Sequence, residues 1–444
     1  MATVTTNKTK VLMVSHGHPD INPGGGEIAA YNLFSEINNT EGYDSLFFAR
    51  HDQVNRCHGG TSFSGTGKDN EILFYVPMGN WFRFTQPDSP KIWRDFRETL
   101  ELYKPDIVHF HHYVHLGIEM LREVKNYNPD VKIVLTLHEY FGICHNFGQM
   151  VKNDSGRLCH KSTPSDCSSC FPEHTPQDFF LRKQFIQSHF ELVDCFISPS
   201  NIVRDRYIDW GIETSKIQVI ENIDSEREQA LNQLPAQNKE NRKKIRISFF
   251  GQINWFKGVD ILIDSINYLP KNIRKKVVIN INGSGLENQP QEMQKYVKES
   301  VNKSDGVIRL RGRYERTELA DLMNGSDWVV IPSRWWENSP MVILEAKKYG
   351  VPVICSNIGG MAEKIDHLQT GLHFQMGRPD SLAEQITWAV ENQDITTELA
   401  QNISKEYDPS GDLDSHLSLY KYLLEDEGVT EDDKNSRTDY SYAA

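Results

Sequence analysis

Short apolar runs recur along the chain and alternate with longer segments whose apolar positions fall three and four apart. The first run, VLMVS, leads through a turn at residues 23–26 into EIAAYNLFSEI, an apolar stripe at helical spacing. Further strand-like runs follow at SLFFA (45–49), DIVHFH (106–111), KIVLTLH (132–138) and DCFISPS (194–200). Residues 224–244 then turn polar and charged, as an exposed linker would. The pattern restarts with IRISFFG (245–251), KVVINING (276–283), VIRLRG (307–312), DWVVIPS (327–333) and VPVICS (351–356). Alternating strands and helices imply mostly parallel sheets covered on both faces, so the expected class is α/β with two domains in series. The first is expected over 1–224 and the second over 245–392. Helices over 393–427 are expected to cross back to the first domain, and a disordered acidic tail to fill 428–444.

Composition narrows the function. The chain has 444 residues, 38% of them apolar, enough for more than one core. Its formal charge of −13 argues against broad electrostatic binding to nucleic acid or anionic lipid, both of which require a basic surface. The opening apolar run, Val11 to Val14, is too short for a signal-peptide core, and no stretch approaches the roughly 20 apolar residues of a membrane-spanning helix. The expectation is a cytoplasmic protein whose membrane contact is at most peripheral, through side chains such as those around Trp81 to Arg83.

The segment most able to carry chemistry is Trp335-Trp336-Glu337-Asn338-Ser339-Pro340-Met341-Val342-Ile343-Leu344-Glu345. Ser339 suits an N-cap and Pro340 the first helical position, and Gly350 suits the far end. The first N–H groups, near Met341 and Val342, have no intrahelical partner and lie at the positive end of the helix dipole. They are therefore a phosphate cradle that needs no metal. Glu337 before the helix and Glu345 in its second turn would flank whatever that phosphate carries. An ordinary capped helix with two solvated glutamates has the same spacing.

These residues resemble the E-x7-E signature of glycosyltransferase family 4. Supporting motifs are spread over nearly the whole chain: the glycines at 24–26, the strand ending in His138, Ser198-Pro199-Ser200, Gly251 followed by Lys257-Gly258, Gly283-Ser284-Gly285 and Gly359-Gly360. The resemblance implies a GT-B architecture, two Rossmann-like doubly wound domains facing across a cleft, the first binding acceptor and the second a nucleotide-sugar donor. It implies a retaining, metal-independent hexosyltransferase without a catalytic cofactor. By this resemblance Glu337 contacts the transferred sugar, Glu345 the ribose, Lys257 the donor diphosphate, and His138 lies beside the sugar. Gly25 and Gly26 let backbone approach the phosphates, and backbone near Arg313 and Tyr314 reads the base. The family often carries arginine where Gln252 stands, so one positive charge is missing from the diphosphate clamp, with Arg313 or Arg334 as substitutes. Family habit points to a glycan or lipid-linked glycan acceptor in surface polysaccharide biosynthesis. A non-catalytic sugar-nucleotide-binding or partner-binding protein, and another GT-B enzyme such as a nucleotide-sugar epimerase, stay as alternatives.

Two features lie outside that signature. His109, His111 and His112 alternate faces along one strand, which favours structural or acceptor-side roles over metal binding. Four of the seven cysteines, Cys144, Cys159, Cys167 and Cys170, fall in an insertion at 144–174 with spacing C-x14-C-x7-C-x2-C. In a reducing compartment such a cluster suggests a structural zinc site, with free thiols, disulfides and an iron–sulfur cluster as the other readings.

Overall fold

In the computed structural model, residues 8–56, 60–86, 90–224, 244–406 and 411–425 are described. The expected linker, apart from its two end residues, and the acidic tail lie outside them. Eight strands form the first sheet: β1 Thr9–Ser15, β2 Tyr43–His51, β3 Phe63–Ser64, β4 Glu71–Tyr75, β5 Ile107–Phe110, β6 Lys132–Thr136, β7 Cys195–Ser198 and β8 Ile217–Val219. Their order is β3-β4-β2-β1-β5-β6-β7-β8. The pairs from β4 through β7 run parallel, and the short β3 pairs antiparallel on β4. Val11 through Val14 are wholly buried, as expected of a central parallel strand covered on both faces.

The second sheet comprises β9 Ile245–Phe250, β10 Val277–Asn282, β11 Ile308–Gly312, β12 Trp328–Ile331, β13 Val353–Ser356 and β14 Gly371–Phe374. It is parallel throughout, in the order β11-β10-β9-β12-β13-β14. Counted from its own first strand this is the 3-2-1-4-5-6 order of a dinucleotide-binding sheet, and it reverses between β9 and β12. Successive side chains of β12 serve opposite cores. Trp328 and Val330 join the one that includes Ile247, Ile279 and Ile354, while Val329 and Ile331 join the one that includes Ile343, Met361 and Cys355. Each core is closed by helices, Val259–Ser265 and Pro379–Glu391 on one face and Met341–Lys348 and Gly359–Lys364 on the other.

Two compact units result, divided differently from chain order. One takes the described residues up to 136, then 184–197 and the helix Gly411–Glu425; the other takes 137–183 and 198 through 406. Residues 137–183, with the cysteine insertion, and 198–224 fall in the second unit by contact, while β8 (Ile217–Val219) is a strand of the first sheet. Within this unit the Asn338 amide donates to the carbonyls of Leu137 at 3.0 Å and His138 at 3.1 Å. Glu363 accepts from the backbone N–H groups of Asn201 and Ile202, at 2.7 and 3.0 Å, and so caps the helix Asn201–Trp210. Of the C-terminal helices, Gln393–Glu406 stays with the second sheet. Gly411–Glu425 belongs to the first unit, where the Tyr420 hydroxyl lies 2.6 Å from His109 Nδ1.

Candidate active site

Ligands of open parallel sheets bind beyond the carboxyl ends of the strands, at the point where strand order reverses. Here that point lies where the chain leaves β9 and β12, and the two exits are pressed together. Gly258 has φ +69°, and a Cβ there would stand 1.9 Å from the Pro332 carbonyl oxygen, so only glycine fits. The Arg334 N–H donates to the Phe256 carbonyl at 2.8 Å, which locks one exit to the other.

This contact brings Lys257 to Glu337. The Lys257 ammonium donates to Glu337 Oε1 at 2.7 Å, and the Ser333 hydroxyl donates to the same oxygen at 2.7 Å. The Glu337 side chain is only 6% exposed and the Lys257 side chain 31%, so a buried carboxylate faces a half-exposed cation. A third loop holds Glu337 from its backbone: the Gly360 N–H donates to the Glu337 carbonyl at 2.8 Å. Gly360 permits this because a Cβ would fall 1.4 Å from the Asn338 carbonyl oxygen. Asn338 in turn accepts from the Ser200 hydroxyl at 2.5 Å. His138 is half-buried two residues beyond the end of β6, with its carbonyl in that amide grip.

The helix after Glu337 runs Met341–Lys348, with Pro340 at its N-cap position and no side-chain cap. The expected Ser339 cap is corrected by the structure: its hydroxyl donates instead to Glu221 Oε1 at 2.6 Å. Glu221 also pairs with Lys364, which holds its carboxylate where it accepts the Ser339 proton. The N–H groups at the helix start are thereby left without a side-chain cap. Glu345 is half-buried in the second turn, close enough to Tyr314 to add to the upward push that burial gives that phenol.

Other expected donor residues have partners of their own. Gln252 is exposed, with Asn254 at 3.5 Å, and Arg313 is exposed, with Glu315 at 3.6 Å. Arg334 is engaged by neighbours: its guanidinium pairs with Asp260 and lies 3.9 Å from the Trp255 ring centroid. Burial raises the Asp260 pKa, Arg334 opposing it, while burial lowers that of Arg334. Gly25 and Gly26 lie in the first unit as the opening residues of the helix Gly25–Asn38, and so do not form the open turn expected there. Gly24 caps that helix tightly, for a Cβ on it would meet Glu27 Oε2 at 2.4 Å. Ser333 and Asn338 were not singled out from sequence. A serine at the exit of β12 was the only available signal for the first, and Asn338 has none, because its partners are distant in sequence.

Residues 23–224 match the family model "Glycosyltransferase Family 4", and residues 232–406 match "Glycosyl transferases group 1". The chain belongs to glycosyltransferase family 4. A 41.2 kDa protein in the cps region of Klebsiella pneumoniae is 27% identical over 236 residues, covering 51% of this chain and 61% of that one. The N,N'-diacetylbacillosaminyl-diphospho-undecaprenol alpha-1,3-N-acetylgalactosaminyltransferase of Campylobacter jejuni is 27% identical over 124 residues, 27% of this chain and 32% of that one. Alignment therefore spans less than two thirds of either relative. Among solved structures, Anabaena Alr3699/HepE in complex with UDP superposes with a TM-score of 0.65 at 17% identity, over 93% of this chain and all of that one. The fold is GT-B, two parallel-sheet α/β domains.

His109, His111 and His112 are buried at the end of β5 and just beyond it. His109 lies between Tyr420 and Thr136, whose hydroxyls are 2.6 and 2.7 Å from its two ring nitrogens, and stacks on His111. His112 Nδ1 accepts from the Tyr113 and Val114 N–H groups, and burial pulls its pKa down to about 3. Trp81, Phe82 and Arg83 are half-buried, Trp81 stacked on His115. No helix among the described residues is long and apolar enough to cross a membrane.

Proposed function

We propose that this chain transfers a sugar, with retention of anomeric configuration, from a nucleoside-diphosphate sugar to a hydroxyl of a glycan or lipid-linked glycan. The setting we infer is surface polysaccharide assembly at the cytoplasmic face of a membrane. The observation that carries the reading is the Lys257 ammonium 2.7 Å from the buried Glu337 carboxylate, at the reversal point of a dinucleotide-type sheet. With donor bound, the N–H groups of Met341 and Val342 and the Lys257 ammonium take the diphosphate, Glu345 the ribose hydroxyls and Glu337 the sugar hydroxyls. His138 stands beside the sugar.

As the bond from the anomeric carbon to the diphosphate oxygen breaks, negative charge grows on the leaving group, and a fixed ammonium stabilises it without a metal ion. The acceptor hydroxyl attacks from the same face, and its proton passes to the departing phosphate oxygen. UDP is the first nucleotide to try, because the structural relative HepE is known in complex with it.

The test is thermal stabilisation of the purified chain by UDP, GDP, ADP, CDP and dTDP and their sugar conjugates, with chelator present. A ligand at 100 times its Kd should add about 2.7 kcal/mol of stability. Stabilisation by one nucleotide family, largely lost in Glu345→Ala, supports the reading. No stabilisation by any of them overturns it.

A further inference from the structure

The cysteine insertion folds so that residues far apart in sequence share one small cavity. Cys144, Cys159, Cys167 and Cys170 all line it, together with Lys152 and Phe179, and its volume is about 20 Å³, room for a single atom-sized occupant. All four are free thiols. Backbone donors already point at the sulfurs: the Asn153 N–H reaches Cys170 Sγ at 3.0 Å, and the Asn146 and Met150 N–H groups donate to Cys144. Such N–H···S bonds surround thiolates held by a metal, where they spread the negative charge of the sulfurs. Lys152 and Arg182 bring positive charge to the same place. The donors, the cations and the cavity make sense together for four thiolates around a cation.

We propose that these four cysteines bind one thiophilic divalent ion of the zinc class as a structural site. Among the described residues no three His, Cys, Asp or Glu side chains stand ready to share an ion, so ligation requires the four sulfurs to close inward. Each thiol loses its proton to solvent as its sulfur–metal bond forms, four protons per ion, and no redox step is involved. The site is tied to the candidate active site, since the Trp336 indole N–H donates to the Cys159 carbonyl at 3.0 Å, one residue before Glu337. Arg206 packs 4.7 Å from the centroid of the same indole and donates to the His160 carbonyl. The cysteine segment thus braces the loop that presents Glu337.

The experiment needs no knowledge of donor or acceptor, so its failure is separable from failure of the proposed function. The full chain, purified under reducing conditions without chelator, is analysed for metals and titrated with a thiol reagent before and after chelation. The expected result is about one zinc per chain and four thiols that react only once the metal is removed. Metal content should fall at least tenfold in a Cys167→Ser, Cys170→Ser double variant. If that variant does not fold, wild-type protein stripped and reloaded with cobalt should show the visible absorption of a tetrahedral thiolate complex. Less than about a tenth of an equivalent of zinc with no uptake on reloading, cysteines recovered as oxidised pairs, or iron with labile sulfide would each overturn the proposal.

Discussion

Gly360 occupies a place that no side chain can enter. Its N–H holds the Glu337 carbonyl at 2.8 Å, and a Cβ would overlap the Asn338 oxygen at 1.4 Å. Gly360→Ala must push this backbone away, at a cost of about 1–3 kcal/mol. A lowered melting temperature and weakened nucleotide binding should appear together, and an unchanged melting temperature would refute the packing argument. Lys257 invites the complementary test. Lys257→Met should reduce turnover roughly 10²–10³-fold, as removal of one charge-stabilising donor does elsewhere, while Lys257→Arg recovers part of it. Equal activity in wild type and Lys257→Met would remove Lys257 from the mechanism. The resemblance marked Lys257, Glu337 and Glu345, and the fold joins the first two in one contact. Ser333 and Asn338 were not legible, since Asn338 is defined by Ser200 and Leu137, 138 and 201 residues away, and pairings at that separation leave no periodic trace.

The helix Met341–Lys348 is too short to be stable alone, and it is held by burial of Ile343, Leu344 and Ala346. Its apolar spacing and its flanking Pro340 and Gly350 made it legible to within a residue or so. Its start was misassigned by one residue, because Ser339 obeys local capping rules on paper and a distant carboxylate in the fold. That difference can be measured. If Ser339 serves Glu221, then Ser339→Ala and Glu221→Gln should cost less together than the sum of the two, with a coupling of about 1 kcal/mol in a double-mutant cycle. Additive costs would return Ser339 to the capping role. The cysteine segment shows the same limit in another form: its spacing showed four ligand candidates, whereas the shared cavity and the bond from Trp336 to Cys159 arise only in the fold.

Across the whole molecule, the alternation of apolar runs carried the two parallel sheets, and the helical segments between strands carried the crossovers that parallel pairing demands. The grouping of 137–183 and of the helix Asn201–Trp210 with the second unit was not legible. It rests on polar grips such as Glu363 on the Asn201 helix, and not on periodicity. Histidines that the fold shuts away give the molecule a dependence on pH. His112 and His416 in the first unit are wholly buried, and burial lowers their pKa values from 6.5 to about 3 and about 4. The unfolded chain takes up these two protons as pH falls below about 6.5, whereas the folded chain refuses them until far lower. Stability is therefore complete above the unfolded pKa and declines as pH drops through it. The limiting slope is about 1.4 kcal/mol per pH unit for each histidine. Glu119 and Asp260, whose carboxyl pKa values burial raises, act in the opposite sense, starting from ordinary values of 4.5 and 3.8. Between pH 7.5 and 5.5 the histidines should dominate, so the urea midpoint should fall steadily across that interval, and His416→Phe should remove close to one proton from the slope. A flat midpoint over the same range would mean that these imidazoles gain protons without unfolding, through openings that the static fold does not contain.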